Sequence, residues 1–177
     1  MHRFLRGPVV LLAALTLAGC GLPRVAVSDA SSPSPGPEER VTVDGGLSLV
    51  VPDGWEPVGD ELPDGVVFAA TAADDDEQQL IVWAGDAEVG SEDTMLSVAV
   101  GIARQGGVCE RLHDDTTFGA PRPVVDCSFA TPGAPRKVLV GVAGGERSAM
   151  VLAQLDGEDL ADTAAVLGPF LDAVAWT

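Results

Sequence analysis

Apolar and polar positions divide the chain into an apolar head, a polar stretch and a long region where strand-like and helix-like periods alternate. Residues 7–19, GPVVLLAALTLAG, are uncharged and apolar almost throughout. Residues 21–40, GLPRVAVSDASSPSPGPEER, are rich in proline and serine and show almost no apolar period. From Val41 the pattern changes. VTV and LSLVV flank Asp44-Gly45-Gly46 and predict a hairpin. Pro52-Asp53-Gly54 turns the chain into Trp55, and further strands are predicted over 65–72 and 79–85, joined by the acidic loop Asp74-Asp75-Asp76-Glu77. Four more β-prone runs follow at 108–112, 124–130, 137–143 and 148–155, the last two meeting at Gly144-Gly145.

Two stretches carry a helical period. Ser91 before Glu92 and Asp93 has the chemistry of an N-cap with acids in the first turn. Met95, Val98, Ala99, Ile102 and Ala103 then repeat at helical spacing until Gly106-Gly107, predicting a helix over 91–105. Leu160, Ala164, Leu167, Leu171 and Val174 predict a second over 158–175. Gly168-Pro169 inside that run predicts a kink or a break into two pieces.

The runs KVLVGVA and SAMVLAQL are apolar on both alternating faces, so both faces of their sheet must be covered. With two helices to cover it and no regular βαβ alternation, the predicted fold is α+β, a mostly antiparallel sheet flanked by helices.

The apolar head reads as targeting. Its 13 residues follow His2, Arg3 and Arg6 and fall short of the roughly 20 needed to span a bilayer. Leu17-Ala18-Gly19-Cys20, at the end of this run, resembles the lipobox of bacterial lipoproteins. That resemblance implies a signal peptide over 1–19, removed before Cys20, and a diacylglyceryl group on the Cys20 sulfur. Residues 20–40 then form the acylated cysteine and a tether, which spans about 25 Å as a flexible coil and about 60 Å if fully polyproline-like, and 41–177 form a single globular domain.

Cys109 and Cys127 are 18 residues apart and centred on Phe118. A hairpin with that centre sets them opposite one another, within reach of a disulfide. An exported domain is the oxidising setting in which such a bond persists.

Charge narrows the partners. Acids outnumber bases 27 to 10, for a net charge of −17. Such a field repels phosphate backbones, which argues against nucleic-acid binding. One lysine, no tyrosine, no asparagine and two isoleucines, against abundant Ala, Gly, Val, Asp and Pro, fit a high-G+C bacterial genome.

Catalytic ingredients are scarce. Beyond the signal the only histidine is His113, which reads as a solvated loop residue, and no G-x-S-x-G places a serine nucleophile. One histidine and two paired cysteines cannot make a zinc site. No phosphate-binding glycine pattern follows a strand, so no cofactor is expected. The Asp74–Glu77 run lacks the spacing of a calcium loop and reads as a solvated turn. Of the three tryptophans, Trp83 sits in a predicted strand and Trp176 ends the second helix; core packing is the ordinary role for each. Trp55, just after its turn, is the one placed to line a groove.

GLSLVVPDGWEPV, residues 46–58, resembles the opening of Mog1/PsbP-like domains, where a hairpin leads into a P-x-G-W turn. The closing helix ending near Trp176 is similar to that group. Together with the lipobox, the pattern resembles the LpqN/LpqT-type lipoproteins of actinobacteria. The resemblance implies an antiparallel sheet flanked by helices and a binding or scaffolding role at the cell envelope, with no catalytic residues to carry over.

The expected protein is therefore a non-catalytic binding or adaptor lipoprotein, held by Cys20 on the extracytoplasmic face of the cell membrane. Its partner is another envelope protein or an apolar envelope molecule, met at a groove near Trp55 and the exposed parts of the first helix. The alternatives are an envelope lipid carrier with an enclosed apolar cavity, or a hydrolase of envelope lipid or glycan using acidic residues.

Overall fold

A computed structural model describes residues 40–177 apart from 44, 45, 60 and 158, with backbone only at 113–115. The expected signal peptide, Cys20 and most of the tether lie outside the described residues.

The elements are β1 (Arg40–Val43), β2 (Leu47–Val50), β3 (Trp55–Pro57), β4 (Val66–Ala72), β5 (Asp75–Asp86), α1 (Glu92–Arg104), β6 (Gly107–Asp115), β7 (Arg122–Phe129), β8 (Arg136–Gly144), β9 (Arg147–Leu155), α2 (Leu160–Ala173) and β10 (Ala175–Trp176). Seven strands form one sheet in the order β3-β4-β5-β9-β8-β7-β6, with every neighbouring pair antiparallel. Three strands form a small sheet, β1-β2-β10, also antiparallel. The fold is α+β.

Alternation along the central strands separates two cores. On β9, Ala149, Val151 and Ala153 join Leu47, Leu49, Val138, Val140 and the α2 residues Leu167, Phe170 and Leu171. Met150 points the other way and packs with Val125, Leu139 and the α1 residues Met95, Ala99 and Ile102. Each face of the large sheet is thus closed by its own layer, α1 on one side, α2 with the small sheet on the other. This is the two-sided burial that the continuously apolar β8 and β9 require.

α1 also solves the connection. Between β5 and β6 the chain must cross β9, β8 and β7, and the helix carries it over that face. Ser91 caps it, the hydroxyl accepting from Thr94 N–H. Ser148, buried in β9, fixes the approach to the helix: its Oγ donates to the Asp86 carbonyl at 2.7 Å and accepts from Gly90 N–H at 2.6 Å.

Three local expectations differ from the structure. Asp75, Asp76 and Glu77 begin β5 instead of forming a loop. The chain turns back at Ala73-Asp74, which sets Asp75 opposite Ala72, and the Asp75 carboxylate accepts from Glu77 N–H and from the Gln78 amide within the bulge that follows. α2 runs unbroken through Pro169. Pro169 and Ala165, the residue whose carbonyl loses its helical donor, are both exposed, so water can serve the freed acceptor. Trp176 does not end the helix. Val174 turns extended, and Ala175 and Trp176 pair with Ser48 and Leu47 as β10.

Candidate functional site

β2 ends at Val50, and Val51 and Pro52 lead into a turn closed by the Trp55 N–H donating to the Pro52 carbonyl at 3.1 Å. Gly54 sits at φ +77° within it, a conformation that a side chain would resist. Its carbonyl accepts from Ala73 N–H at 2.8 Å, and Trp55 pairs with Ala72, so the turn is pinned to the β4–β5 hairpin. The indole of Trp55 is driven inward to 7% exposure.

Facing this segment is the middle of α2. Phe170 is buried and stacks on Phe68 of β4, with ring centroids 6.3 Å apart. Val166 and Pro169 lie on the outer side of the same helix face. Between them and the 50–55 segment is a groove of about 400 Å³, open to solvent and lined chiefly by apolar side chains. Asp53 supplies the single carboxylate among its described lining residues, and no basic side chain lines it. Its volume falls in the lower part of the range, roughly 300–1,000 Å³, typical of ligand sites.

One end of the groove is tied to the start of the domain. Arg40 stands opposite Val50 in the β1–β2 register. Its guanidinium donates to Ser48 Oγ at 3.3 Å and to the Ala173 carbonyl at 2.8 Å, where a positive charge meets the negative end of α2.

Cys109 and Cys127 pair in the β6–β7 register and form the disulfide, with Cα atoms 4.0 Å apart. The bond lies under α1, where Cys109 Sγ is 3.6 Å from the Ala99 carbonyl oxygen. It belongs to the core on the far side of the sheet from the groove. The acidic run assembles nothing: Asp74, Asp76 and Glu77 are exposed, and no group of three or more metal-ligating side chains comes together among the described residues. Trp83 packs with the α1 core. Trp176 covers Gly144 under the Arg147 guanidinium, 5.4 Å from the ring centroid. On α1 the outer face exposes Val100. The His113 side chain lies outside the described residues.

The remaining strong electrostatic features are structural. Arg136 of β8 grips Asp126 of β7 with both arms of its fork, at 2.8 and 3.0 Å, and this hydrogen bonding raises its pKa. Burial lowers the pKa of Arg122; Asp172, 3.5 Å away, opposes that shift.

Sequence reasoning picked out Trp55 but missed the opposite wall. Val166, Pro169 and Phe170 meet the 50–55 segment only through tertiary packing, more than a hundred residues along the chain. The one local hint was Pro169, a residue whose ring cannot serve the inside of a helix.

No family model matches the chain, and no curated protein matches it. Among solved structures it is similar to the cyanobacterial PsbP (CyanoP) of Synechocystis sp. PCC 6803. The TM-score is 0.49 at 14% identity, covering 78% of this chain and 92% of that one. A protein from Bacteroides thetaiotaomicron VPI-5482 aligns with a TM-score of 0.42 at 12% identity, covering 75% of this chain and 45% of that one. The α+β class rests on the chain's own sheets and helices.

Proposed function

We propose that the chain is a lipid-anchored, extracytoplasmic binding or adaptor protein of the bacterial cell envelope, without catalytic activity of its own. Within that reading it is an LpqN/LpqT-type lipoprotein, held through an acylated Cys20 and joined to its domain by the 20–40 tether. The observation that carries the binding role is the groove between Trp55 and α2, apolar, open and built on two fixed elements. The lipobox and the Cys109–Cys127 disulfide support an exported setting, since such bonds persist in oxidising compartments.

The groove's openness supports binding over an enclosed lipid carrier. A lining with one carboxylate supports it over a hydrolase, whose acid–base chemistry needs two carboxylates facing one bond.

Crosslinking the acylated protein in its own membrane, followed by mass spectrometry of the captured proteins and lipids, tests the reading. A protein partner recovered in stoichiometric amount is expected. Recovery of lipid alone, or turnover of an envelope lipid or glycan by the purified protein, would contradict it.

A further inference from the structure

We infer that the Trp55–α2 groove docks a segment of a membrane protein's extracytoplasmic portion that carries apolar side chains flanked by a basic one. This rests on the binding reading above and names the partner's chemistry.

Placement is the first argument. Arg40 is registered opposite Val50 in an antiparallel pair, so this first described residue stands at the end of the small sheet where β2 passes into Val51, Pro52 and Asp53. Those residues form one lip of the groove. The groove therefore opens beside the point at which the tether joins the domain. The tether spans about 25 Å as a flexible coil and about 60 Å if fully polyproline-like, so an acylated Cys20 would keep that end of the domain within that reach of the bilayer. A site held there meets segments emerging from membrane proteins before it meets soluble ones.

Charge is the second argument. Asp53 is exposed on the lip, and no described lining residue is basic. Arg40, the cation registered beside Val50, is turned away to Ser48 and the Ala173 carbonyl. The chain as a whole carries −17. An acidic lip on an acidic protein repels anionic lipid headgroups and attracts a Lys or Arg next to an apolar anchor. Trp55 and Phe170 form the floor for that anchor, and Val166 and Pro169 form its far wall. A buried aromatic floor with an exposed charge at its rim is the arrangement in which the anchor supplies affinity and the rim supplies selectivity.

The test uses the acylated mature protein in nanodiscs of zwitterionic lipid, titrated with three fluorescent probes. These are a short peptide of Leu and Phe flanked by Arg, the same peptide with Glu for Arg, and a neutral single-chain amphiphile. Saturable binding of the Arg peptide is expected, weakening as salt is raised, with the Glu peptide at least about tenfold weaker. Val166→Arg, which places a cation in the far wall, should weaken the Arg peptide by about tenfold or more. Asp53→Asn, a near-isosteric change at an exposed position, should weaken it several-fold and flatten the salt dependence. Equal binding of the Arg and Glu peptides, or an Asp53→Asn variant that binds the Arg peptide unchanged, would overturn the inference. So would saturation by the amphiphile with no peptide binding, which assigns the groove to lipid. The two levels separate in membrane crosslinking. A protein partner kept by Val166→Arg overturns the groove assignment and leaves the adaptor role standing. Peptide binding with no protein captured by the wild type removes the adaptor role instead.

Discussion

Cys109 and Cys127 face each other across the β6–β7 pair, beneath the Ala99 turn of α1. The bond joins the edge strand of the large sheet to its neighbour under α1. It closes a loop of 18 residues, so replacing both cysteines by alanine should cost about 2–4 kcal/mol. Urea denaturation of the mature protein measures that cost. Thiol titration of the unfolded, unreduced chain should find neither Cys109 nor Cys127 free.

Ser148 ties the loop before α1 to β9 with two short hydrogen bonds from a buried hydroxyl. Ser148→Ala leaves the Gly90 N–H without its partner and should cost about 1–3 kcal/mol. Amide exchange at Gly90 and through the first turn of α1 should speed up, while exchange in α2 stays unchanged. Uniform acceleration across the domain would mean that the loop is not held locally by Ser148.

The indole of Trp176 occupies the space where a side chain at Gly144 would stand, so it packs β10 directly against β8. Gly144→Ala should therefore displace the indole and cost about 1–3 kcal/mol from overpacking. The displaced ring should also lose its place beneath Arg147, which tryptophan fluorescence reads as a red shift.

Pro169 is a helix-interior proline that lines the groove. Replacing it with alanine restores a donor to the Ala165 carbonyl and should stabilise the domain, by about 1 kcal/mol or more. The groove assignment expects a different consequence for binding: weaker capture of the apolar peptide, because the far wall loses its ring. Stability and affinity moving in opposite directions is the signature of a residue kept for its surface and not for its helix.

Much of this arrangement was legible along the chain because it is encoded locally. The Ser91 cap, the centre of the Cys109–Cys127 hairpin at Phe118 and the two-sided apolar runs of β8 and β9 each declare themselves within a few residues. The burial of Phe118 was not legible in the same way. The residue lies in the hairpin loop yet is buried in the α2-side core, because that loop folds back toward the end of α2, where Gly119 approaches Asp172. The pairing of Trp176 with Leu47 and the far wall of the groove were not legible, since each joins segments more than a hundred residues apart. Asp75 misled for a subtler reason. Consecutive acids look like a solvated loop, but the two-residue turn at Ala73-Asp74 pairs Asp75 with Ala72 and a bulge carries the following acids into the strand.

The proposed envelope role depends most heavily on the acylation of Cys20, since without an anchor the domain would not be held at the membrane. Detergent-phase partitioning of the wild type and of Cys20→Ala, with the mass of the N-terminal peptide read in parallel, tests it most directly. The wild type should enter the detergent phase with a diacylglyceryl mass on Cys20, and the variant should remain in the aqueous phase. A Cys20→Ala variant that still partitions into detergent, or a wild-type Cys20 carrying no lipid, would contradict it.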